Sequence, residues 1–550
     1  MSGVELVVIL LAGSAVLQLV ARRINVPHPV LLVLGGLALA FMPRPPDISI
    51  PPDTLFLVFV PPLLYWAALT TSLRDFSRKL NPITRLGTLA VLLSMGAVAV
   101  VVHALAPEFT WPAAFVLGAI VAPPDPVAAI AVLRPLGAPR DMVTILEGEG
   151  LVNDATALVS YQIAVAAVVT GTFSAVHAGA RFIVAAVGGV VIGLMVGWII
   201  AFIRRKLIGR FPIVENTVSL LTPFFAYLPA QWLNVSGVLA VLSVGLYLGR
   251  RGPKIMAAAT RVQEESMWTM AQFVLESLIF ILIGLELPQV VRVLHPGSLV
   301  RLVRFGAIVA LTLIVVRFVY TMVSVFIVRF LARRSGESGP EWSQATFIAW
   351  AGMRGGDSLV IALALPLTTA AGAPFTARGP IIFLTFAVIL ATLVVQGFTL
   401  VPLMRLLGLH EGPEDDAEEA HARRVAAETA LQHLDRVTTA DARSPVIGFL
   451  RAKQQVSLRK WGARDRTLHS HDDAEHRALP TGDAGAEQST EKYRSIRRDM
   501  LGAERAAIID LRDKHEISDD VLRRIQRELD LETMMLDSME DDAGEPYDEG

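Results

Sequence analysis

Thirteen stretches of this 550-residue chain are almost wholly apolar, and most run for about 17 to 25 residues, the length a helix needs to cross roughly 30 Å of hydrocarbon at 1.5 Å per residue. No other feature narrows the fold as far. Lipid offers no hydrogen-bond partners, so a spanning segment must satisfy its own backbone, and runs this long do so as helices. The composition agrees: 53% of residues are hydrophobic and 18% charged, with a mean hydropathy of +0.53, where soluble domains are about a quarter charged. Cysteine is absent, which excludes disulfides, thiolate metal sites and a cysteine nucleophile. The opening MSGVELVVILLAGSAVLQLVARR has no basic segment ahead of its apolar run, so it reads as a first spanning helix and not as a cleaved signal peptide.

The apolar segments lie near 4–21, 29–42, 54–70, 84–105, 111–133, 145–169, 180–203, 214–233, 235–249, 269–290, 302–328, 344–368 and 379–407. The expected fold is thus an all-α polytopic membrane protein of about thirteen spans over residues 1–409, followed by a charged tail over 410–550. Basic residues provide an independent check, because cytoplasmic loops are enriched in Arg and Lys. Alternate loops carry Arg22 and Arg23; Arg74, Arg78, Lys79 and Arg85; Arg134 and Arg140; Arg204, Arg205, Lys206 and Arg210; Arg250, Arg251, Lys254 and Arg261; then Arg329, Arg333 and Arg334. The loops between hold Arg44, Arg181, Arg292, Arg301 and Arg378. This asymmetry places the N-terminus outside and the tail in the cytoplasm. Within the tail, Ile508, Leu511, Val521, Leu522, Ile525 and Leu529 have the spacing of amphipathic helices over roughly 490–537. The stretch HSHDDAEHRALPTGDAGAEQST reads as a linker, and its His469, His471 and His476 read as solvated, not as metal ligands.

An ionisable group at the centre of a span costs about 2.5 to 3.5 kcal/mol even on lenient insertion scales, so each one needs a reason. The fifth span, WPAAFVLGAIVAPPDPVAAIAVLR, sets Asp125 among Pro123, Pro124 and Pro126. Three missing amide donors predict a break at membrane depth, where freed carbonyls beside a carboxylate suit a monovalent cation. The sixth span places Glu149, Asn153 and Asp154 within about one and a half turns, with Asp154 turned about 100° from Asn153. The twelfth, FIAWAGMRGGDSLVIALALP, holds Gly352, Arg354, Gly355, Gly356 and Asp357 and predicts a second break. The two breaks correspond when spans one to six are laid against eight to thirteen, the pattern of inverted repeats with a site at the midplane. Arg354 either neutralises the ends of the broken helices or pairs with Glu149, while Glu276 and Arg317 form a candidate second pair. A structural role is the better reading for these four. For Asp125 and Asp154, bonding to serine or arginine is the plainer alternative to ion binding.

The strings FLVFVPPLLY, GAIVAPPDPVAA, LEGEGLVNDATALV and WAGMRGGDSLVIALALP together resemble the monovalent cation:proton antiporter-1 family, the sodium/proton exchangers, over about residues 1–407. The resemblance implies that Asp154 binds cation and proton in turn, with Asn153 before it as in electroneutral members. It implies that Asp125 helps to build the site, so that Asp154 and Asp125 would hold Na+ or K+, and that Glu149 pairs with Arg354. It also implies a homodimer. Three positions depart from the pattern: Pro124 replaces a threonine, Trp66 an acidic residue, and Gly150 a serine. Asp357, untypical of the motif, is a candidate extra carboxylate.

The expected activity is secondary antiport of Na+ or another monovalent cation for H+, with no cofactor, no enzymatic chemistry and no nucleic-acid partner, in the cell membrane. Rival readings are a K+/H+ or mixed-cation exchanger, a cation channel, and an intramembrane aspartyl protease. Channel selectivity more often rests on symmetric rings. A protease needs a facing aspartate dyad, which Asn153 before Asp154 argues against.

Overall fold

The computed structural model describes residues 3–24, 28–41, 51–133, 137–171, 175–207, 211–293, 298–335, 340–370, 372–409, 413–437, 444–466 and 486–544. Arg44, Arg134 and Arg210 of the basic pattern lie outside the described residues, as do His469, His471, His476 and most of the expected linker. Along the chain run α1 (Gly3–Ile24), α2 (His28–Ala40), α3 (Pro52–Thr70), α4 (Leu73–Arg78), α5 (Leu80–Thr84), a π-helical turn (Arg85–Ala90), α6 (Val91–Leu105), α7 (Trp111–Val121) and α8 (Pro126–Leu133). Then follow α9 (Arg140–Thr170), α10 (Ala175–Leu207), α11 (Pro212–Trp232), α12 (Gly237–Ile255), α13 (Ala258–Val293), α14 (Ser298–Ser335), α15 (Trp342–Trp350), α16 (Gly356–Leu363) and α17 (Arg378–Leu407). The tail forms α18 (Pro413–Val437), α19 (Pro445–Arg466), α20 (Ala486–Asp513) and α21 (Asp519–Gly544). No strand forms among the described residues.

Among the described residues, six helices are long and apolar enough to cross a membrane by themselves: Leu80–Leu105, Arg140–Thr170, Gly179–Lys206, Ala258–Leu282, Val300–Arg333 and Arg378–Leu407. Val8–Ala21, Leu31–Ala40, Thr54–Thr70 and Trp111–Val121 are shorter apolar helices. The fifth and twelfth segments are interrupted, α7 from α8 and α15 from α16, where Pro123 and Pro124 or the glycine run deny the helix its ladder. Open faces carry apolar side chains such as Ile183, Val184 and Trp198 on α10 and Leu311 and Phe326 on α14, as lipid-facing surfaces require. Arg261, placed in a loop by hydropathy, is instead helical, since α13 begins eleven residues before its apolar run.

The chain divides into two compact units. The first comprises Met1–Ile203, Thr217–Arg251 and Met267–His410, and the second Arg204–Asn216, Gly252–Ser266 and Glu411–Gly550. Small residues let helices of the first unit touch backbone to backbone. A Cβ on Gly36 of α2 would stand 2.1 Å from the Ile281 carbonyl oxygen of α13, and one on Gly284 2.1 Å from that of Val33.

In the second unit all six tail residues expected on an apolar face are buried in one cluster. Two further helices, α18 and α19, escaped the sequence reading because their alanine-rich and charged runs present little apolar periodicity. Arg497 donates to Glu504 at 2.8 Å and to both oxygens of Glu532 at 2.9 and 2.7 Å, while Lys453 reaches Glu532 at 3.1 Å. Burial alone would raise the Glu532 carboxyl, but the Arg497 hydrogen bonds and charge, aided by Lys453, outweigh it and hold Glu532 down to about 2. A carboxyl lowered in the fold adds stability that is present above its unfolded value, about 4.3, and lost as pH falls toward 2. Hydrogen-exchange protection of α20 and α21 is therefore expected to decline between about pH 5 and pH 2, and Glu532→Gln to flatten that decline. Protection unchanged down to pH 2 would contradict the pairing.

Candidate functional site

The site forms where the two interrupted helices meet. The Asp125 amide, in the break between α7 and α8, donates to the Met353 carbonyl in the break between α15 and α16 at 2.7 Å. The Asp125 carboxylate lies over Gly355, where a Cβ would stand 1.8 Å from Oδ2, so only glycine fits. Each break leaves helix C-terminal carbonyls without partners, and cationic or amide side chains cover them. Arg354, buried, donates through Nε to Val121 O at 2.9 Å, through Nη2 to Ala122 O at 3.0 Å, and through Nη1 to Gly352 O. Gln396 of α17 donates to Trp350 O at 2.8 Å. Arg317 of α14 donates to Ile348 O at 3.0 Å.

Helix α9 brings the remaining groups. Asn153 is fully buried, and its Nδ2 donates to Pro124 O at 2.9 Å, tying α9 to the first break. Its Oδ1 is buried with no hydrogen-bond donor among the described residues. The helix reaches this close because neighbours are small. A Cβ on Gly150 would meet the Pro126 ring at 2.4 Å, and one on Gly87, in the π-helical turn, would meet Val152 Cβ at 2.6 Å. The serine that the family pattern offers at position 150 thus has no room here. Asp125 and Asp357 lie near enough for their charges to act on Asp154. Asp357 stands in the first turn of α16, where the positive helix end favours an anion.

Neither of the two expected ion pairs is the one that forms. Glu149 pairs with Arg317, not Arg354: Arg317 Nη2 donates to Oε2 at 2.9 Å and Nη1 to Oε1, with both side chains buried. Arg354 takes the helix-end role, because its planar fork meets three freed carbonyls at once. Glu276 is not the partner of Arg317. It accepts from Gln272 Nε2 at 2.7 Å, and the charges of Asp125 and Asp357 act on it. One turn farther along α13, Ile279 and Phe280 abut Gly356 at the start of α16. Glu276 therefore belongs with the acidic groups of the site. Trp66 stacks on Trp268, ring centroids 6.0 Å apart and planes 13° from parallel.

Sequence reasoning missed Thr392 and Gln396. Thr392 Oγ1 accepts from the Arg354 amide at 3.2 Å. Their spacing of four inside an otherwise apolar run was the available signal. Among the described residues no three His, Asp or Glu side chains converge into a ready-made metal cage. The donors on offer are accordingly mixed: carboxylates, the Asn153 oxygen and carbonyls of the breaks.

Interrupted helices crossing at half-buried carboxylates, in an all-helical apolar frame, define a secondary ion transporter. Comparison with known proteins gives the family. The sodium/hydrogen exchanger transmembrane family matches residues 6–406, and the chain belongs to it. An uncharacterised Na+/H+ exchanger of Mycobacterium tuberculosis is 34% identical over 97% of this chain and 96% of its own length. A sodium, potassium, lithium and rubidium/H+ antiporter of Bacillus pumilus is 30% identical over 78% of this chain and 65% of its own. The sodium proton antiporter MjNhaP1 of Methanocaldococcus jannaschii, solved at pH 8, shares the fold with a TM-score of 0.57 at 22% identity, covering 74% of this chain and 98% of that one. The protein is thus a membrane-embedded cation/proton antiporter and not an enzyme.

Proposed function

We propose that the chain exchanges Na+ for H+, one for one, through Asp154. The observation that supports this most directly is Asn153: its amide nitrogen is committed to Pro124 O, and its oxygen, beside Asp154, is left buried and without a donor among the described residues. A carboxylate partly withdrawn from water next to such a group favours a counter-charge, and a proton or a monovalent cation each supplies one. Alternating access that proceeds only with Asp154 neutralised then carries one or the other on each trip, so opposing gradients drive exchange. Asp125 would help to hold the cation, and Asn153, a neutral amide, cannot supply a second titrating charge. Asp357 is the group by which a second proton would enter the cycle.

The mixed-cation reading has its own support. The departure at Pro124 removes a hydroxyl ligand that would favour a small, tightly held ion. The basic-loop pattern supports an N-terminus outside and a tail in the cytoplasm, and the family resemblance supports a homodimer. The test is purified protein in liposomes with an internal pH dye, challenged with Na+, K+ and Li+ in turn at several clamped potentials. Na+ is expected to drive the largest proton flux, with a null point independent of voltage. A null point that moves with voltage would refute one-for-one exchange, and its loss in Asp357→Asn would assign the second proton to Asp357.

A further inference from the structure

The tail is joined to the α12–α13 connection by charge. Asp530 of α21, with 3% of its side chain exposed, accepts from Arg261 Nε at 2.8 Å and Nη2 at 2.5 Å, and from Arg505 at 2.7 Å. Arg261 also donates to Met256 O. Around this centre are two exposed pairs, Lys254 with Asp513 at 2.5 Å and Arg527 with Glu265 at 2.9 Å. The connection is itself wired to the ends of its neighbours. Arg204, from the end of α10, holds Glu264 at 3.0 Å and Met256 Sδ at 3.3 Å. Asn216, near the start of α11, donates to Gln263 at 3.0 Å. The two apolar clusters of the tail, by contrast, draw every side chain from residues 422–536. The tail helices thus carry their own cores, and ion pairs join them to residues 252–266.

We propose that α20 and α21 form an electrostatic latch on the α12–α13 connection, which restrains the exchanger while closed and opens as ionic strength rises on the tail's side of the membrane. The Arg261–Asp530–Arg505 triad, centred on the buried Asp530, fixes where the tail docks, since its planar, two-pronged geometry accepts one register. The exposed pairs set how firmly it holds, and salt acts on them first, because the screening length falls from about 10 Å at 0.1 M to about 3 Å at 1 M. Four helices end or begin in the segments so joined, α10, α11, α12 and α13. Alternating access requires helices to shift against one another, so a tail that ties these ends together opposes the movement. An exchanger that relieves a salt load would in this way be released by the load itself.

The latch rests on the antiport reading for its activity readout, so docking is followed independently by hydrogen exchange. The full-length protein is reconstituted in lipid, and choline chloride is raised on the tail side as an inert salt. In the wild type, protection of residues 252–266 is expected to fall with salt while cation-driven proton flux rises about fivefold, the scale of a typical coupling between sites. In Asp530→Asn, protection is low and flux high already at low salt. Lys254→Gln with Arg527→Gln, both at exposed positions, leaves the folded core untouched and shifts release to lower salt. Protection that ignores salt, or no shift in that last variant, would overturn the latch. Protection lost with flux unchanged would overturn its restraint on transport, whereas absent flux with salt-sensitive protection would count against antiport alone.

Discussion

Asp154→Asn is expected to insert and fold yet carry less than about a tenth of the wild-type cation-driven proton flux, a rise of more than about 1.4 kcal/mol in the barrier to the cycle. Asparagine keeps the size and hydrogen-bonding reach of the side chain, so the packing of α9 against the breaks survives. What it removes is the exchangeable charge, since a neutral amide neither takes up a proton near neutral pH nor demands a cation. The assay is dye-loaded proteoliposomes with protein content and monodispersity matched to wild type. Flux above that level would take Asp154 out of the mechanism and move attention to Asp357 or Glu276, whose carboxylates share the same neighbourhood.

Breaking the Glu149–Arg317 pair should cost about 3 to 5 kcal/mol of stability in either single variant, because the remaining partner is left charged and buried. Glu149→Gln with Arg317→Gln should then lose markedly less than the sum, as a directly coupled pair does. Arg354 supplies the control. Its guanidinium is spent on Val121, Ala122 and Gly352 carbonyls, so Glu149→Gln and Arg354→Gln should lose closer to their sum. Thermal unfolding of the detergent-solubilised variants measures all three combinations. Strong coupling of Glu149 to Arg354, with none to Arg317, would contradict the observed pairing. Gly352→Ala should resemble Arg317→Gln, since its Cβ would stand 2.3 Å from Arg317 Nε and push the arginine off Glu149.

The pairing shows where sequence reasoning met its limit. The cost of burying charge told that Glu149, Arg317 and Arg354 each need a partner, and it supplied two plausible partners for Arg354. It did not say which, because Arg317 and Glu149 are 168 residues apart and nothing local to either reports the rotation of α14 against α9. Glu276 offers itself in the sequence as half of an ion pair for the same reason. Its true surroundings depend on α13 meeting α16 at Gly356. Gly150 looked in the sequence like a lost ligand, and in the fold it is the clearance that lets α9 approach Pro126.

The sequence by itself determined what is set by local chemistry and by the solvent. Runs of apolar residues required helices, because lipid leaves no other partner for the backbone. Prolines around Asp125 and glycines around Arg354 required breaks, because the missing donors and side chains act on their own helix. Tertiary structure alone decided which arginine closes which charge, which carboxylates lie close together, and how the tail is held. Those depend on distances between segments far apart in the chain, and side-chain reach of a few ångströms cannot be read from spacing along it.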